Sequence, residues 1–411
     1  MTSSTATCAG LRFDRVSWLR GSNAFLNAAL TSDAARILLL DRGHPLVHKS
    51  PARRKQVYFA SWSDVRSTVL ACVDRPEYGV FGPEPYNLRM REGSPQKVWL
   101  GSTQGLISPL LSLAFLGIEM REDGPSLPAE PGLHVPTGMP YFVLSLTARS
   151  QHRHAWTEAC DVLDMRKALG SLAPQDTALV SMARSLIDWN ERTRHCPSCG
   201  SKQYSALSGH KRVCGTALAK HAYPCSMLEI GGRAPPQECE AWSSLQNYTH
   251  PRTDPVVLVG VVCDDKILLA RKRGWPKGLY SCIAGFVEQG ESIEEATRRE
   301  AMEETGLDVG HVSYQCSQPW PFPAQLMLGL LAFVKTPDAQ VRLDLDNELE
   351  EAFFATKEQV KSMLCSQNDQ QSHDVVRHGH PVTVPGPEAL AHELLSRWAQ
   401  SSHHVEVHSR L

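Results

Sequence analysis

One stretch of this sequence dictates its own local geometry: residues 285–307 read GFVEQGESIEEATRREAMEETGL. The residues at 280–286 predict a strand, and those at 287–305 predict a loop and then a helix. Ser292 stands at the helix start, Glu294 and Glu295 favour its first turn, and Gly306 stops it. On that helix Glu300 and Glu304 are four residues apart on one face, with Glu303 one turn from Glu300. Carboxylates so placed repel one another, so the chain must either leave them in water or neutralise them with a cation. Magnesium or manganese suits an all-oxygen site that leaves coordination positions for phosphate oxygens. Gly285 and Gly290 allow a tight loop in which the backbone can approach a ligand, and Arg299 can brace it through Glu288 or Glu291. A merely solvated acidic helix needs none of these flanking residues, which favours the cation.

At 411 residues the chain is too long for one ordinary core, so two domains or more are expected. Its 42 Lys+Arg nearly balance its 44 Asp+Glu, and the formal net charge of −2 gives no global sign of a nucleic-acid-coating or membrane-surface protein. The longest apolar segments, around 106–118 and 256–263, are interrupted or short of a membrane span. The opening MTSSTATCAGLRFDR lacks the apolar core of a secretory signal, so the reducing cell interior is the expected compartment.

Twelve cysteines then need an explanation other than disulfides. Cys196, Cys199, Cys214, Cys225 and Cys239 fall in one polar stretch, whereas the others are scattered and are assigned no function. Cys196-Pro-Ser-Cys199 is a knuckle whose two-residue gap lets both thiolates face one ion; Cys214 is the third ligand, and Cys225 and Cys239 compete to be the fourth. A closed four-thiolate zinc site is structural, since no position is left for water. The competing reading is a nucleic-acid-binding ribbon carrying Lys202, His210, Lys211 and Arg212, although a few basic residues on a small loop are usually a solvated face.

No solenoid-type repeat is visible, so distinct modules are expected. Residues 1–150 mix short apolar runs (36–40, 98–100, 141–145) with Gly and Pro turns, as an α+β domain does, and show no chemical motif. Residues 151–192 read as a helical linker, with Trp156, Ala159, Val162, Leu163, Leu179, Met182, Leu186 and Trp189 forming apolar stripes in which Trp189 is core. A zinc ribbon at 193–253 and a β-rich module at 254–411 complete the plan. In the last module, strands are expected at 256–262, 266–271, 280–286 and 325–334, with a closing helix at 388–398 after a polar loop at 367–380.

Downstream of the carboxylate helix stands Ser317-Gln318-Pro319-Trp320-Pro321-Phe322-Pro323, in which prolines fix the backbone and hold two aromatic faces. The segment 285–307 resembles the Nudix box, matching it at Gly285, Glu291, Arg299, Glu300, Glu303, Glu304, Gly306 and Leu307, with Ala301 a small departure where a larger aliphatic is usual. The SQPWPFP string resembles the hallmark of the NADH pyrophosphatase branch of that family. The resemblance implies a Nudix α/β/α sandwich at the C-terminus, within an α+β chain. It implies hydrolysis of NADH to reduced nicotinamide mononucleotide and AMP, weaker action on NAD and related dinucleotides, and removal of NAD caps from RNA. Carried over by residue, it places Mg²⁺ or Mn²⁺ on Glu300, Glu304, the Ala284 carbonyl and Glu348, and the nucleotide against Phe286, Gln318, Pro319, Trp320, Pro321, Phe322, Pro323 and Ala391. His250 replaces the aromatic usual before Pro251-Arg252. The spacing to that segment resembles fungal-type members and selects Cys239 as the fourth zinc ligand beside Cys196, Cys199 and Cys214. Arg299 is expected to assist, and either Glu303 or Glu304 to accept the proton of the attacking water, since both lie within reach of a metal-bound water.

The chain ends Ser409-Arg410-Leu411, a conservative variant of the Ser-Lys-Leu peroxisomal address. The expected partners are therefore NADH or NAD, NAD-capped RNA and a peroxisomal import receptor. No membrane partner is expected, the cytoplasm is the second compartment, and the resemblance implies a homodimer. The rival readings are a Nudix hydrolase of ADP-ribose or coenzyme A and a zinc-ribbon RNA-binding protein with an inert acidic helix.

Overall fold

The 36–40 run is too short for a helix and apolar on both faces, and it becomes the buried centre of a mixed sheet. The computed structural model describes residues 13–73, 79–81, 86–91, 94–99, 112–122, 124–128, 134–146, 156, 160–214, 239, 248–337, 339–365 and 375–401. Cys225 and the 409–411 tripeptide lie outside these residues. The described chain divides into two units, Leu11–Arg252 and Thr253–Leu411.

The first unit opens with β1 (Phe13–Asp14), α1 (Asn23–Thr31), β2 (Arg36–Asp41), β3 (His44–His48), β4 (Phe59–Ala60) and α2 (Trp62–Leu70). The hairpin β5 (Tyr86–Arg91) and β6 (Ser94–Trp99), β7 (Leu113–Met120), β8 (Gly138–Leu146), β9 (Cys160–Val162), α3 (Met165–Ser171) and α4 (Pro174–Arg192) come next. The main sheet runs β1-β7-β8-β2-β3-β9, with β4 also paired to β2. Ile37, Leu39, Phe142 and Leu144 share one core with α1 and α2, and α4 lies against β2, β7 and β8. The segment expected to link modules thus supplies a strand and two helices to this unit. Cys160–Val162, expected within a helical run, is instead a strand because it completes the edge of β3, with Val162 opposite Leu46 and Cys160 opposite His48. Asp164 then caps α3 through the Arg166 and Lys167 amides, and Trp189 is buried as core.

A three-stranded ribbon closes this unit: β10 (Gln203–Ala206), β11 (Lys211–Cys214) and β12 (Tyr248–Thr249). Its turn docks on the sheet. The Phe115 amide donates to Ser208, His210 Nε2 lies 2.8 Å from the Phe115 carbonyl, and the Asn190 amide donates to the Gly209 carbonyl at 2.8 Å. Gly209 is required here, since a Cβ would come within 2.5 Å of Ala114.

The second unit comprises β13 (Asp254–Cys263), β14 (Lys266–Lys272), β15 (Ile283–Phe286), α5 (Ile293–Thr305), β16 (Val309–Trp320), β17 (Gln325–Val334), β18 (Leu349–Thr356), α6 (Lys357–Cys365), the hairpin β19 (Val376–Arg377) and β20 (His380–Pro381), and α7 (Leu390–Gln400). Alternation along β13 sends Val257, Val259 and Val261 toward α5 and Leu258 and Val262 toward α6 and α7, which gives the α/β/α sandwich of a Nudix fold. Four elements differ from expectation, the first being β18, a strand not expected at 349–356 that pairs with β14. Residues 309–320 form a long edge strand, because β17 supplies a partner for the proline-containing run. α6 was not anticipated, and residues at 376–381, expected in a loop, make a hairpin.

The two sheets share one plan. The path β7-β8-β2-β3-β9 with β4 on β2 is matched by β16-β17-β13-β14-β18 with β15 on β13. The β2–β8 and β13–β17 pairs are both parallel, and the corresponding neighbours are antiparallel in both sheets. α2 follows β4 as α5 follows β15.

Candidate functional site

α5 is placed by its ends. The Ser292 side chain accepts from the Glu295 amide while Glu295 accepts from the Ser292 amide, and Gly306 closes the helix in the left-handed region at φ 68°. This phase turns Ala296 and Ala301 into the core and puts Glu300 and Glu304 at the same buried layer, 8% and 1% exposed. Gly285 of β15 makes room for the first: a Cβ there would lie 1.8 Å from the Glu300 carboxyl carbon. Arg299 takes Glu291 of the two partners offered by the sequence, through Nε to Oε1 at 2.6 Å and Nη2 to Oε2 at 2.9 Å. It also donates to Glu300 at 2.7 Å, Glu303 at 3.0 Å and the Phe286 carbonyl at 2.8 Å, so one guanidinium ties helix, loop and β15 together. The hydrogen bonds from Arg299 hold the Glu291 carboxyl down at about 2.

Glu304 is the unusual member. Both of its carboxylate oxygens are buried without a hydrogen bond, although the Lys272 ammonium stands 3.2 Å from Oε1. Burial raises its pKa to about 7, against the pull of Lys272 and with the push of Glu348 and Glu300. Burial also raises that of Glu300, against Arg299. Lys272 ion-pairs with Glu348 as well, so these two carboxylates share one ammonium. Burial works against the Lys272 charge, but Glu348 and Glu304 outweigh it and keep its pKa above the ordinary value. Neighbouring acids are engaged elsewhere: Glu350 pairs with Arg271, and Glu351 accepts from Tyr280 at 2.5 Å and pairs with Arg377. A hard divalent cation fits this donor set, because Glu304 Oε2 has no partner and Oε1 has only the Lys272 ammonium it shares with Glu348. Sequence reasoning missed Lys272. Its signal was a second basic residue after Arg271 at the end of the apolar run 267–270.

The proline array is the end of β16. Ser317, Gln318, Pro319 and Trp320 face Leu328, Met327, Leu326 and Gln325 of β17, and the Trp320 and Phe322 rings are 5.3 Å apart at 60°. Pro321 is buried and Pro323, whose preceding bond is cis, is exposed. Gln318 is buried and donates to the Glu388 carbonyl at 2.8 Å, while its own carbonyl oxygen accepts no hydrogen bond. Phe286 is 53% exposed at the end of β15. Ala284 lies within β15, opposite Leu258. Ala391 is 5% exposed on the first turn of α7 and belongs to the core layer behind the array.

In the first unit, the sulfurs of Cys196, Cys199, Cys214 and Cys239 all lie within 4.8 Å of one another. The Cys196–Cys239 and Cys199–Cys214 separations are 3.8 and 3.5 Å. Four sulfurs bound tetrahedrally to one ion at ~2.3 Å lie roughly 3.8 Å apart, so the set can hold a metal ion. Burial alone would push the Cys199 thiol up, but hydrogen bonds from Ser201, Cys214 and Cys239 bring it down to about 7, which favours a thiolate. Of the ribbon's basic residues, His210 and Arg212 are spent on the Phe115 and Asn190 carbonyls.

Comparison with known proteins finds family models that match each unit. A NUDIX domain profile matches residues 252–377, and a profile for an NADH pyrophosphatase-like rudimentary NUDIX domain matches 34–189. The human protein named NAD-capped RNA hydrolase NUDT12 is 36% identical over 233 residues, 56% of this chain and 43% of that protein. A Schizosaccharomyces pombe protein named NAD-capped RNA hydrolase is 36% identical over 231 residues, 56% of this chain and 55% of that one. The human mitochondrial protein named NAD(P)H pyrophosphatase NUDT13 is 31% identical over 241 residues, covering 58% and 59%. The chain thus spans about half the length of the curated relatives it matches.

Proposed function

We propose that this chain, a Nudix protein of the NADH pyrophosphatase type, hydrolyses the diphosphate bond of NADH to reduced nicotinamide mononucleotide and AMP, with weaker action on NAD and related dinucleotides, and removes NAD caps from RNA. The observation that carries the hydrolase reading is Glu304, whose two buried oxygens accept no hydrogen bond beside Glu300 and Glu348. Those three carboxylates, with the Ala284 carbonyl, would hold Mg²⁺ or Mn²⁺. The ion supplies charge neutralisation at the non-bridging phosphate oxygens and acidifies a water.

The chain's own residues do the remaining work. Arg299 fixes the loop that follows β15 against α5, so the carboxylates meet the diphosphate in one geometry. Glu303, whose side chain is 51% exposed and keeps one oxygen off Arg299, is assigned as acceptor of the water proton; Glu304, enclosed and short of donors, is kept for the metal. As water oxygen bonds to phosphorus, the P–O bond of the anhydride breaks and its electron pair leaves with the departing phosphate. Trp320, Phe322 and Phe286 offer ring faces for the nucleotide, with Gln318 as its polar contact. Ala391, lying in the core, shapes the wall behind them.

Zn²⁺ held by Cys196, Cys199, Cys214 and Cys239 is structural in this reading, and purified protein should contain about one zinc per chain. Incubation with NADH and Mn²⁺ or Mg²⁺, followed by product identification, tests the activity. Intact NADH after long incubation would sink it. We further assign Ser409-Arg410-Leu411 as a peroxisomal address and, on the family resemblance alone, a homodimer as the working form. Unchanged puncta after deletion of Leu411 from a fluorescent fusion, or a monomeric sedimentation coefficient, would remove these assignments.

A further inference from the structure

The rudimentary unit lacks the carboxylates of its counterpart, and the loop that corresponds to the catalytic unit's β14–β15 connection is the more basic of the two, with Lys49, Arg53, Arg54 and Lys55 against Arg273 and Lys277. Residues 49–58 join β3 to β4 and residues 273–282 join β14 to β15, ten residues each. In the catalytic unit this connection begins beside Lys272 and its carboxylates; in the rudimentary unit it reads KSPARRKQVY. No acidic residue occurs between Asp41 and Asp64, while Arg42, Lys49, Arg53, Arg54 and Lys55 fall in that interval with His44 and His48.

The loop is held rather than loose at its base. The His48 amide donates to Gln56, the Tyr58 amide to Leu46, and the Lys55 amide to the Ser171 carbonyl at the end of α3. Lys49, Arg53 and Arg54 project from this frame into solvent. Arg53 and Arg54 make no hydrogen bond or ion pair among the described residues, although Arg54 is near enough to Asp176 to act on its carboxyl, so Arg53 is the freer of the two to meet an anion. A short aromatic stair stands at the two ends of this loop. The exposed His48 ring is 5.2 Å from Tyr58, and Tyr58 is 6.1 Å from Trp156. Tyr58 and Trp156 pack partly against the core and leave His48 as the exposed ring, so a basic loop that begins and ends on aromatic residues suits a phosphodiester chain with unpaired bases. A membrane surface would want exposed apolar anchors, and at the tip between Lys49 and Arg53 the loop offers only Ser50, Pro51 and Ala52.

We propose that the 49–58 loop and the His48–Tyr58–Trp156 stair of the rudimentary unit form a binding surface for single-stranded RNA, which meets phosphate directly through arginine where the catalytic unit meets it through carboxylate-bound metal. This rests on the reading that NAD-capped RNA is a substrate. It adds where the RNA body is held.

The test uses the full chain carrying R53E and R54E together, with fluorescence anisotropy on a labelled 20-nucleotide RNA, NAD-capped or uncapped, in EDTA. Affinity for both RNAs should fall at least about tenfold. Loss of two contacts should flatten the log K against log salt slope by about 1.4. The kcat/KM for free NADH should not change. Unaltered RNA affinity and slope would overturn the surface, as would wild-type protein that cleaves NADH yet does not bind RNA; in the second case the hydrolase reading stands. Wild-type protein that binds RNA through these arginines but cleaves neither NADH nor capped RNA would overturn the hydrolase reading and leave the surface intact. Loss of binding to phosphatidylserine vesicles with RNA binding retained would assign the loop to membranes and end the proposal.

Discussion

In α2 the Ser61 side chain accepts from the Asp64 amide and Asp64 reaches back to the Ser61 amide; in α5 Ser292 and Glu295 do the same. Counted from these caps, eight and twelve residues on, the first unit has Val69 and Val73 and the second has Glu300 and Glu304. Both valines belong to the first unit's core, while both glutamates are buried beside Lys272, Arg299 and Glu348. The approach to the helix differs too. β4 ends at Ala60, next to its cap, whereas residues 287–291 with Gly290 and Glu291 intervene between β15 and α5. One sheet plan therefore tolerates either apolar packing or buried charge eight residues after the cap; Val73 lies past Leu70, where α2 ends, so the second position is helical only in the longer α5. Only the version with the charge, the brace and the loop can hold a cation against a phosphate. Burying those carboxylates runs against stability, the expected signature of a functional site.

This contrast can be broken most sharply at Glu304. Glu304→Gln should lower kcat roughly a thousandfold or more, since several kcal/mol of charge stabilisation go with the metal. In metal-free buffer its thermal midpoint should be equal to or above wild type, because a buried charge is removed. Near-normal turnover would refute the assignment.

The reciprocal change, Val69→Glu, should destabilise the first unit by about 3 kcal/mol or more, as an unpaired carboxylate enters a core with no brace or cation. Urea unfolding that shows less than about 1 kcal/mol would mean the two helices are closer in character than their side chains indicate.

The units should also respond oppositely to pH. His210 is pushed down to about 3 by burial and by Arg20, so the folded state holds it neutral; its contribution is present above the unfolded value near 6.5 and lost as pH falls from there toward 3. Glu304, raised to about 7, contributes stability below its unfolded value near 4.5 and loses it as pH rises through 7 in metal-free protein. Hydrogen exchange across this range should show the first unit opening at acid pH and the second at neutral pH; adding Mn²⁺ should abolish only the second trend.

The smallest effect belongs to the caps. Ser61→Ala and Ser292→Ala should each cost about 1 kcal/mol, with the first leaving NADH turnover unchanged. A large activity loss from Ser61→Ala would show that the rudimentary helix does more than complete a core.

The sequence by itself determined the carboxylate helix, its start and stop, and the Cys196-Cys199 knuckle, because each rests on spacings of a few residues that local geometry converts directly into a face or a knuckle; that Glu291 is the partner of Arg299 and that Cys239 joins the thiolates only the fold decided. It also marked Val256 to Val262 and the 325–334 run as strands, since their apolar continuity needs no partner to be recognised. What only tertiary structure decided are features made by residues far apart. Lys272 reaches Glu304 and Glu348 because β14 lies between β13 and β18, and Cys160–Val162 becomes a strand because β3 offers an unpaired edge. The kinship of the two units lies in strand order, which hydrogen bonds between backbones specify without regard to side chains. With Val69 standing where Glu300 stands, the carboxylate spacing that marks the second unit could not disclose it in the first.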